Sequence, residues 1–213
     1  MEYIIFGAGG HGKVVLDNLR SNGDDIIGVM DDQWSEKEWR GVPLLGGVDK
    51  IDRVVEMYPN SLFIIAIGQN SVRKKITSLF EQKKVRFGKA VHASAVISAD
   101  ASIGEGTVIM ANSVVNADAT IGRHVIINTG TTVDHDCSIE DYVHLSPGVH
   151  LAGGVEVGLS THVGIAACLI PKIKVGRDTI IGGGSCVIHN VPDCVLAVGC
   201  PAKVIKQFNE SKG

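Results

Sequence analysis

Two patterns of apolar and polar positions divide this chain. In the first, short β-rich runs alternate with runs at helical spacing: YIIFG (3–7) then KVVLDNLRSNG (13–23), IIGVMDD (26–32) then VDKIDRVVEMY (48–58), LFIIAIG (62–68) then SVRKKITSLFEQK (71–83). Strands alternating with helices predict βαβ units around a parallel sheet. The stretch has room for three or four strands. From residue 91 another rule holds. Every sixth residue from Val91 to Val187 is Val, Ile or Leu, seventeen times in succession. That period marks a hexapeptide parallel β-helix. Two positions before the aliphatic the side chain is usually small or β-branched, as at Ala101, Thr107, Ser113, Ala119, Thr131, Val143 and Val149. Such residues suit a narrow interior. Three hexads make one coil, so about five coils stack at a strand spacing of about 4.8 Å. The aliphatics point inward, and the outward residues are free to carry chemistry. The expected division is 1–88 for an α/β Rossmann-like domain and 89–213 for a β-helix domain with a C-terminal tail.

Composition narrows the classes. The chain has 213 residues, 45% of them apolar, and a formal net charge of −3. The apolar share supports a real core, and the charge argues against broad nucleic-acid binding. No run reaches the 18 apolar residues expected of a membrane span. The start, MEYIIFGAGG, lacks the basic region of a signal peptide and runs straight into a strand. The five cysteines, Cys137, Cys168, Cys186, Cys194 and Cys200, form no CxxC pair. They read as reduced thiols in a cytoplasmic protein. Cys137 sits two before Ile139, an inward position, so it is expected to be an inert small hydrophobe rather than a nucleophile.

Residues Gly7 to Gly12, GAGGHG, form a G-x-G-x-x-G after a strand and before a helix, and Asp31 and Asp32 end the next strand. In this layout glycines admit a phosphate to the helix N-terminus and an acid holds a ribose. The domain is about half of a dinucleotide fold, so a mononucleotide-type ligand fits better than NAD. Trp34 and Trp39 follow the acids and are expected to pack there. Further along, His135 stands between Asp134 and Asp136.

The hexads IGEGTV (103–108), IGRHVI (121–126) and VGRDTI (175–180), with GAGGHGK (7–13), DHDC (134–137) and VGCPAKVI (198–205), resemble the NeuD/PglD-like sugar acyltransferases. The resemblance runs from Tyr3 to about Lys206. It implies a left-handed β-helix, acetyl-CoA as co-substrate without a metal, and transfer to the 4-amino group of a UDP-linked amino-deoxy sugar for surface polysaccharide or glycan precursors. It also implies a homotrimer with active sites at subunit interfaces. Carried over by position, Gly9, Gly10 and His11 contact the nucleotide sugar, Asp31 and Asp32 face uracil and ribose, and Gly68 flanks the cleft. His135 becomes the general base and Asp136 its support. The family pair is His-Glu, so this chain is one methylene shorter, and Asp134 could share the work. His144 and the backbone of Ile165 and Gly183 would contact acetyl-CoA.

A base is needed because the amine loses a proton as it attacks the thioester, and histidine titrates in the right range. His144, His150 and His162 each precede an inward aliphatic and point outward. His144 and His162 are one coil apart and should stack on one face; His150 and His162 read as surface residues. His135 and His144 are nine residues apart, half a coil, and so lie on different sides of one prism. A single site can use both only where two subunits meet. O-acetylation of a sialic acid-type hydroxyl would use the same base and groove. A zinc hydratase would need three converging histidines, which this spacing does not provide. A non-catalytic nucleotide-sugar-binding protein would bind ligand without acetyl-CoA turnover.

Overall fold

The computed structural model describes residues 1–208. The N-terminal part is built from β1 (Glu2–Phe6), α1 (Gly10–Ser21), β2 (Asp25–Met30), β3 (Glu38–Trp39), β4 (Val42–Gly46), α2 (Ile51–Met57), β5 (Leu62–Ile65), α3 (Asn70–Gln82) and β6 (Arg86–Phe87). These strands form one six-stranded sheet in the order β3-β4-β2-β1-β5-β6. All pairings are parallel except β3 with β4. The sheet therefore exceeds the three or four strands expected. The extra strands β3 and β6 are two residues long, too short to show a hydrophobic period. Apolar side chains fill both faces. Ile5, Val15, Leu16, Leu19, Val29 and Ile64 pack on one side, and Ile4, Phe6, Met30, Phe63, Ile65 and Phe80 on the other. Trp39 packs in this core at 1% exposure, while Trp34 remains on the surface.

From Ala90 onward, seventeen two-residue strands run to Cys186–Val187. They fall in turn on three faces of a prism, whose first strands are Ala90–Val91, Val96–Ile97 and Ser102–Ile103. Each strand pairs in parallel with the one 18 residues later, so Ile109 lies beside Ile127 and Val133 beside Leu151. Each hexad aliphatic is the second residue of its strand, and most are essentially sealed from water. Buried hydroxyls two positions earlier have a specific task. Thr107, Ser113 and Thr131 donate to the carbonyls of Gly122, Asn128 and Ser146 at 2.8, 2.8 and 3.0 Å. Corner carbonyls that would be buried unpaired are satisfied in this way. The corners need left-handed backbone, supplied by Gly130 and Gly148 or by residues such as Asn112, Asp118 and Asp136. The first face is closed by β24 (Val195–Val198), parallel to Ile180–Ile181, the last hexad strand of that face, and by β25 (Lys203–Gln207), antiparallel to β24.

The α/β part docks on the prism through Arg73, a residue of α3 that is 1% exposed. Its guanidinium donates to the carbonyls of His124 (2.9 Å) and Tyr142 (2.7 Å) on the prism. On its own side it donates to the carbonyls of Ile67 (2.9 Å) and Gly68 (3.1 Å) and to Asn70 Oδ1 (2.9 Å). Burial lowers its pKa to about 10, which still leaves a cation at neutral pH. No carboxylate pairs with it among the described residues; carbonyl dipoles carry the whole compensation. Asn18 adds a second tie, donating to the carbonyl of Ile109 at 2.9 Å. Arg73→Met should lower stability by at least about 3 kcal/mol, because several buried acceptors lose their donor at once. Urea unfolding checks this, and an unchanged midpoint would mean that the joint does not depend on this side chain.

Candidate active site

In the α/β sheet the connections leave β1 toward β2 on one side and reach β5 on the other. A crevice opens beyond the carboxyl ends of strands at such a switch point. The loops at 7–10 and 66–69 line it. Gly7 has φ 114, and a side chain there would strike the carbonyl oxygen of Ala66. A side chain at Gly12 would strike the carbonyl of Gly7. These two glycines build the turn. Gly9, Gly10 and Gly68 are different: a Cβ on any of them would meet nothing within 4 Å, so they border open space. Helix α1 has no side-chain cap and no acid in its first turn, which leaves its N-terminal N–H groups available to an anion.

Asp31 and Asp32 stand at this crevice, and much of their capacity is already engaged. Asp31 Oδ2 accepts the Ala8 N–H at 2.7 Å, and its Oδ1 accepts those of Gln33 and Trp34 at 2.8 and 3.1 Å. Asp32 Oδ1 accepts the Val48 N–H at 2.7 Å. The acids thus brace the loops that frame the crevice. His11 lies on the first turn of α1 with its Nε2 buried and unpartnered. Burial, then the charge of Arg73, push its pKa down to about 4.

His144 joins this crevice to the prism. Its Nδ1–H donates to the Gly68 carbonyl at 3.2 Å, which leaves Nε2 to accept from Asn128 Nδ2 at 3.3 Å. Its ring stacks on His162 with centroids 4.8 Å apart and planes at 13°, as the one-coil spacing predicts. The His11 ring lies 6.4 Å away. Burial, followed by His162, Arg73 and His11, lowers the His144 pKa to about 3. His11, Gly68 and His144 therefore meet within one chain, although the sequence reading divided them between two ligands. His162 is not the surface residue expected. It is half-buried under His144 and paired with Ser146 Oγ at 2.8 Å.

His135 occupies the edge between the second and third faces and is well exposed. Its Nδ1–H donates to Asp136 Oδ2 at 2.7 Å, so the shorter acid does reach. Asp136 sits at φ 59, in the left-handed turn that swings its carboxylate back toward the ring. Asp134 takes a different part: its Oδ1 accepts the His135 backbone N–H at 2.8 Å and Asn116 Nδ2 at 2.9 Å. The hydrogen bond to Asp136, then the charge of Asp134, raise the His135 pKa. With Nδ1 engaged, Nε2 carries the lone pair. The ring lies over Gly153, one coil on, where a Cβ would stand 2.5 Å from Cε1 and 2.6 Å from Nε2. Gly153 was not singled out from sequence, yet adding 18 to 135 finds it.

Ile165 and Gly183 share the edge between the first and second faces. A Cβ on Gly183 would come within 3.0 Å of Ile165 Cγ2, and Ile165 is 60% exposed. Cys137 is buried, its thiol donates to the Ala152 carbonyl at 3.3 Å, and burial raises its pKa, as expected of an inert position. A groove of about 620 Å³ on the third face holds none of the predicted residues. Its cations are spent on its own acids, Lys174 on Glu156 and Arg177 on Asp193. Among the described residues no three His, Cys, Asp or Glu side chains are arranged to hold a metal ion, and no helix is long and apolar enough to cross a membrane.

A glycine-lined crevice in a small α/β domain, docked on a hexapeptide prism that bears an outward His-Asp pair, defines a hexapeptide-repeat transferase of the left-handed β-helix class. Residues 2–80 match the PglD N-terminal domain and residues 100–135 the bacterial transferase hexapeptide (six repeats). The chain belongs to the NeuD/PglD-like sugar acyltransferases. A histidine-to-asparagine variant of perosamine N-acetyltransferase from Caulobacter crescentus, solved with CoA and GDP-perosamine, is 38% identical, with a TM-score of 0.93 over 97% of this chain and 98% of that one. The acetyltransferase domain of PglB from Neisseria gonorrhoeae FA1090, solved with acetyl coenzyme A, is 32% identical, with a TM-score of 0.90 over 96% and 98%. UDP-N-acetylbacillosamine N-acetyltransferase of Bacillus subtilis (strain 168) is 43% identical over 109 residues, 49% of each chain. The match thus spans about half the length of that curated relative.

The histidines should titrate in two groups. His11 and His144 should stay neutral down to pH 5, while His135 should protonate above the ordinary value of about 6.5. Unfolded histidines take up protons from about pH 6.5 downward, so the buried ones should cost stability as pH falls below that value. Side-chain NMR titration checks the first statement and melting temperature against pH the second. A His144 resonance that titrates near 6.5 would contradict its burial in the joint.

Proposed function

We propose that this protein is an acetyl-CoA-dependent N-acetyltransferase acting on the 4-amino group of a nucleotide-linked amino-deoxy sugar. The UDP form is the first acceptor to test, and GDP is the rival base. Residues 1–88 would hold the nucleotide sugar and 89–213 would carry transfer, in the cytoplasm, in the synthesis of a surface glycan precursor. The observation that carries this reading is the His135–Asp136 pair, exposed, oriented and raised in basicity, beside a glycine floor. Relatives of nearly full coverage carry CoA or acetyl-CoA, and one of them carries GDP-perosamine, in support.

In this reading Nε2 of His135 takes a proton from the amine as its nitrogen attacks the thioester carbonyl. Asp136 stabilises the imidazolium that forms. The Gly153 N–H, which has no acceptor among the described residues and lies under the His135 ring, would stabilise the oxyanion. Collapse of the adduct breaks the C–S bond, and the imidazolium returns the proton to the leaving thiolate. Gly9, Gly10, His11 and Gly68 would border the acceptor, with Asp31 and Asp32 toward base and ribose. Ile165 and Gly183, with His144 nearby, would border acetyl-CoA. His135 and the Ile165–Gly183 edge lie on different edges of one prism, so we infer a homotrimer whose sites combine two chains.

Turnover of acetyl-CoA against UDP- and GDP-linked amino sugars is the direct test, and transfer to a hydroxyl acceptor instead would make the enzyme an O-acetyltransferase. His135→Ala should lower kcat by about 10²–10⁴-fold. Because the base must be neutral, activity should fall as pH drops through the raised His135 pKa. Asp136→Asn, which keeps the left-handed turn, should move that acidic limb to lower pH; an unmoved limb would remove Asp136 from the pair. Mixing inactive His135→Ala and Gly183→Trp proteins should restore part of the activity. No recovery despite confirmed subunit exchange would rule out a shared site.

A further inference from the structure

At the corner that carries His135, the neighbouring coils fix the backbone on one side of the residue only. The His135 carbonyl accepts from the Gly154 N–H at 2.9 Å in the next coil, and the Asp136 N–H donates to the Ala117 carbonyl at 3.1 Å in the previous one. The His135 N–H finds no such carbonyl among the described residues. Its acceptor is Asp134 Oδ1, at 2.8 Å. An ionised carboxylate only accepts, so it needs a donor of its own to hold its direction. In the register of 18 the neighbours of Asp134 are Asn116 and Ala152. Ala152 has no polar side chain to offer. Asn116 Nδ2 donates to the same Oδ1 at 2.9 Å. Asn116 is itself fixed: it follows Val115, which pairs with Val133, and its N–H donates to the Val133 carbonyl at 2.9 Å.

We propose that Asn116, acting through Asp134, is a positioning residue for the His135 base; the inference rests on the reading of His135 as that base. The Asn116 amide holds Asp134, Asp134 holds the His135 peptide, and Asp136 holds the ring. The imidazole is thus fixed from its main chain and from its Nδ1 side together. Such fixing matters because a misplacement of about 1 Å can cost on the order of 10²-fold in rate. The two acids divide the work. Asp136 orients the ring and stabilises the imidazolium, while Asp134 anchors the backbone and adds a second negative charge nearby. The Asn116 hydrogen bond, then that of the His135 N–H, lower the Asp134 pKa, so this carboxylate stays an acceptor wherever His135 titrates. Residue type at 116 follows from this. A carboxylate there would face a second carboxylate, and an aliphatic would leave Asp134 with its His135 contact alone. An amide donates without adding charge. All four residues belong to one chain, so the brace needs nothing from a partner copy.

The test compares the intact protein with Asn116→Leu and Asn116→Ala, which both remove the donor, one with bulk and one without. In each, kcat should fall by about 10-fold while the KM for either substrate stays within about twofold. The His135 imidazole, followed by NMR, should titrate at lower pH, because a released Asp134 carries its negative charge away. The acidic limb of the rate–pH profile should move down with it. Asn116→Gln, which keeps the amide on a longer stem, should recover most of the lost kcat. Asp134→Asn should separate position from charge: an acceptor for the His135 N–H remains, so the limb should move down with a smaller loss of kcat. Unchanged kcat and an unmoved His135 titration in Asn116→Ala would overturn the proposal. So would a raised KM without a fall in kcat, which would make position 116 a binding residue, or an Asn116→Gln protein as slow as Asn116→Ala. Full activity in His135→Ala would remove the base and this proposal with it, whereas an inactive His135→Ala beside a normal Asn116→Ala would overturn the proposal alone.

Discussion

Everything on the prism depends on one constraint: each coil closes in 18 residues, and its backbone hydrogen-bonds to the next coil in register. Residues 18 apart are therefore neighbours. His135 lies over Gly153, His144 over His162, Ile165 beside Gly183, and Cys168 beside Cys186. The inward positions are filled by aliphatics and satisfied hydroxyls, so chemistry can reside only on outward positions and corners. The corners require left-handed backbone, and that same turn aims the Asp136 carboxylate at the His135 ring.

The second organising feature is the joint between the two parts. A buried guanidinium usually demands an acid partner. Arg73 instead gathers carbonyls from both sides, two from the prism and two from the loop after β5. The carbonyl of Gly68 is shared, since it also accepts from His144. The floor of the crevice is thereby held by the prism itself, and the 66–69 loop cannot shift without disturbing the His144–His162 stack.

These contacts sort the histidines by environment. His135, in water beside two carboxylates, gains basicity. His11 and His144, packed against each other and near Arg73, lose it. His124 is further still from a chemical role. It is sealed between Phe87 and Tyr142, neither ring nitrogen has a hydrogen-bond partner, and burial lowers its pKa to about 3. One residue type thus serves as candidate base, as interdomain link and as core aromatic, and solvent exposure decides which.

The sequence by itself determined whatever is periodic or local. The six-residue repeat set the prism, its inward column and the stacking of His144 on His162. The glycine fingerprint marked the crevice, and the DHD triplet marked the exposed pair. The strict register makes such positions computable from residue numbers, and Gly153 was within reach of the same arithmetic. The tertiary structure decided what depends on contacts between distant segments. Arg73 reads in sequence as one more charge on an amphipathic helix, His124 as an ordinary hexad residue and His162 as decoration; only the docking of α3 and of the crevice loop on the prism buries or engages them. Strands β3 and β6 were invisible because two residues have no period, and neighbours in the sheet alone make them strands. The engagement of Asp31 by three backbone N–H groups was hidden likewise, because a motif names the residue types at a turn and only the folded chain shows which of their atoms remain unspent.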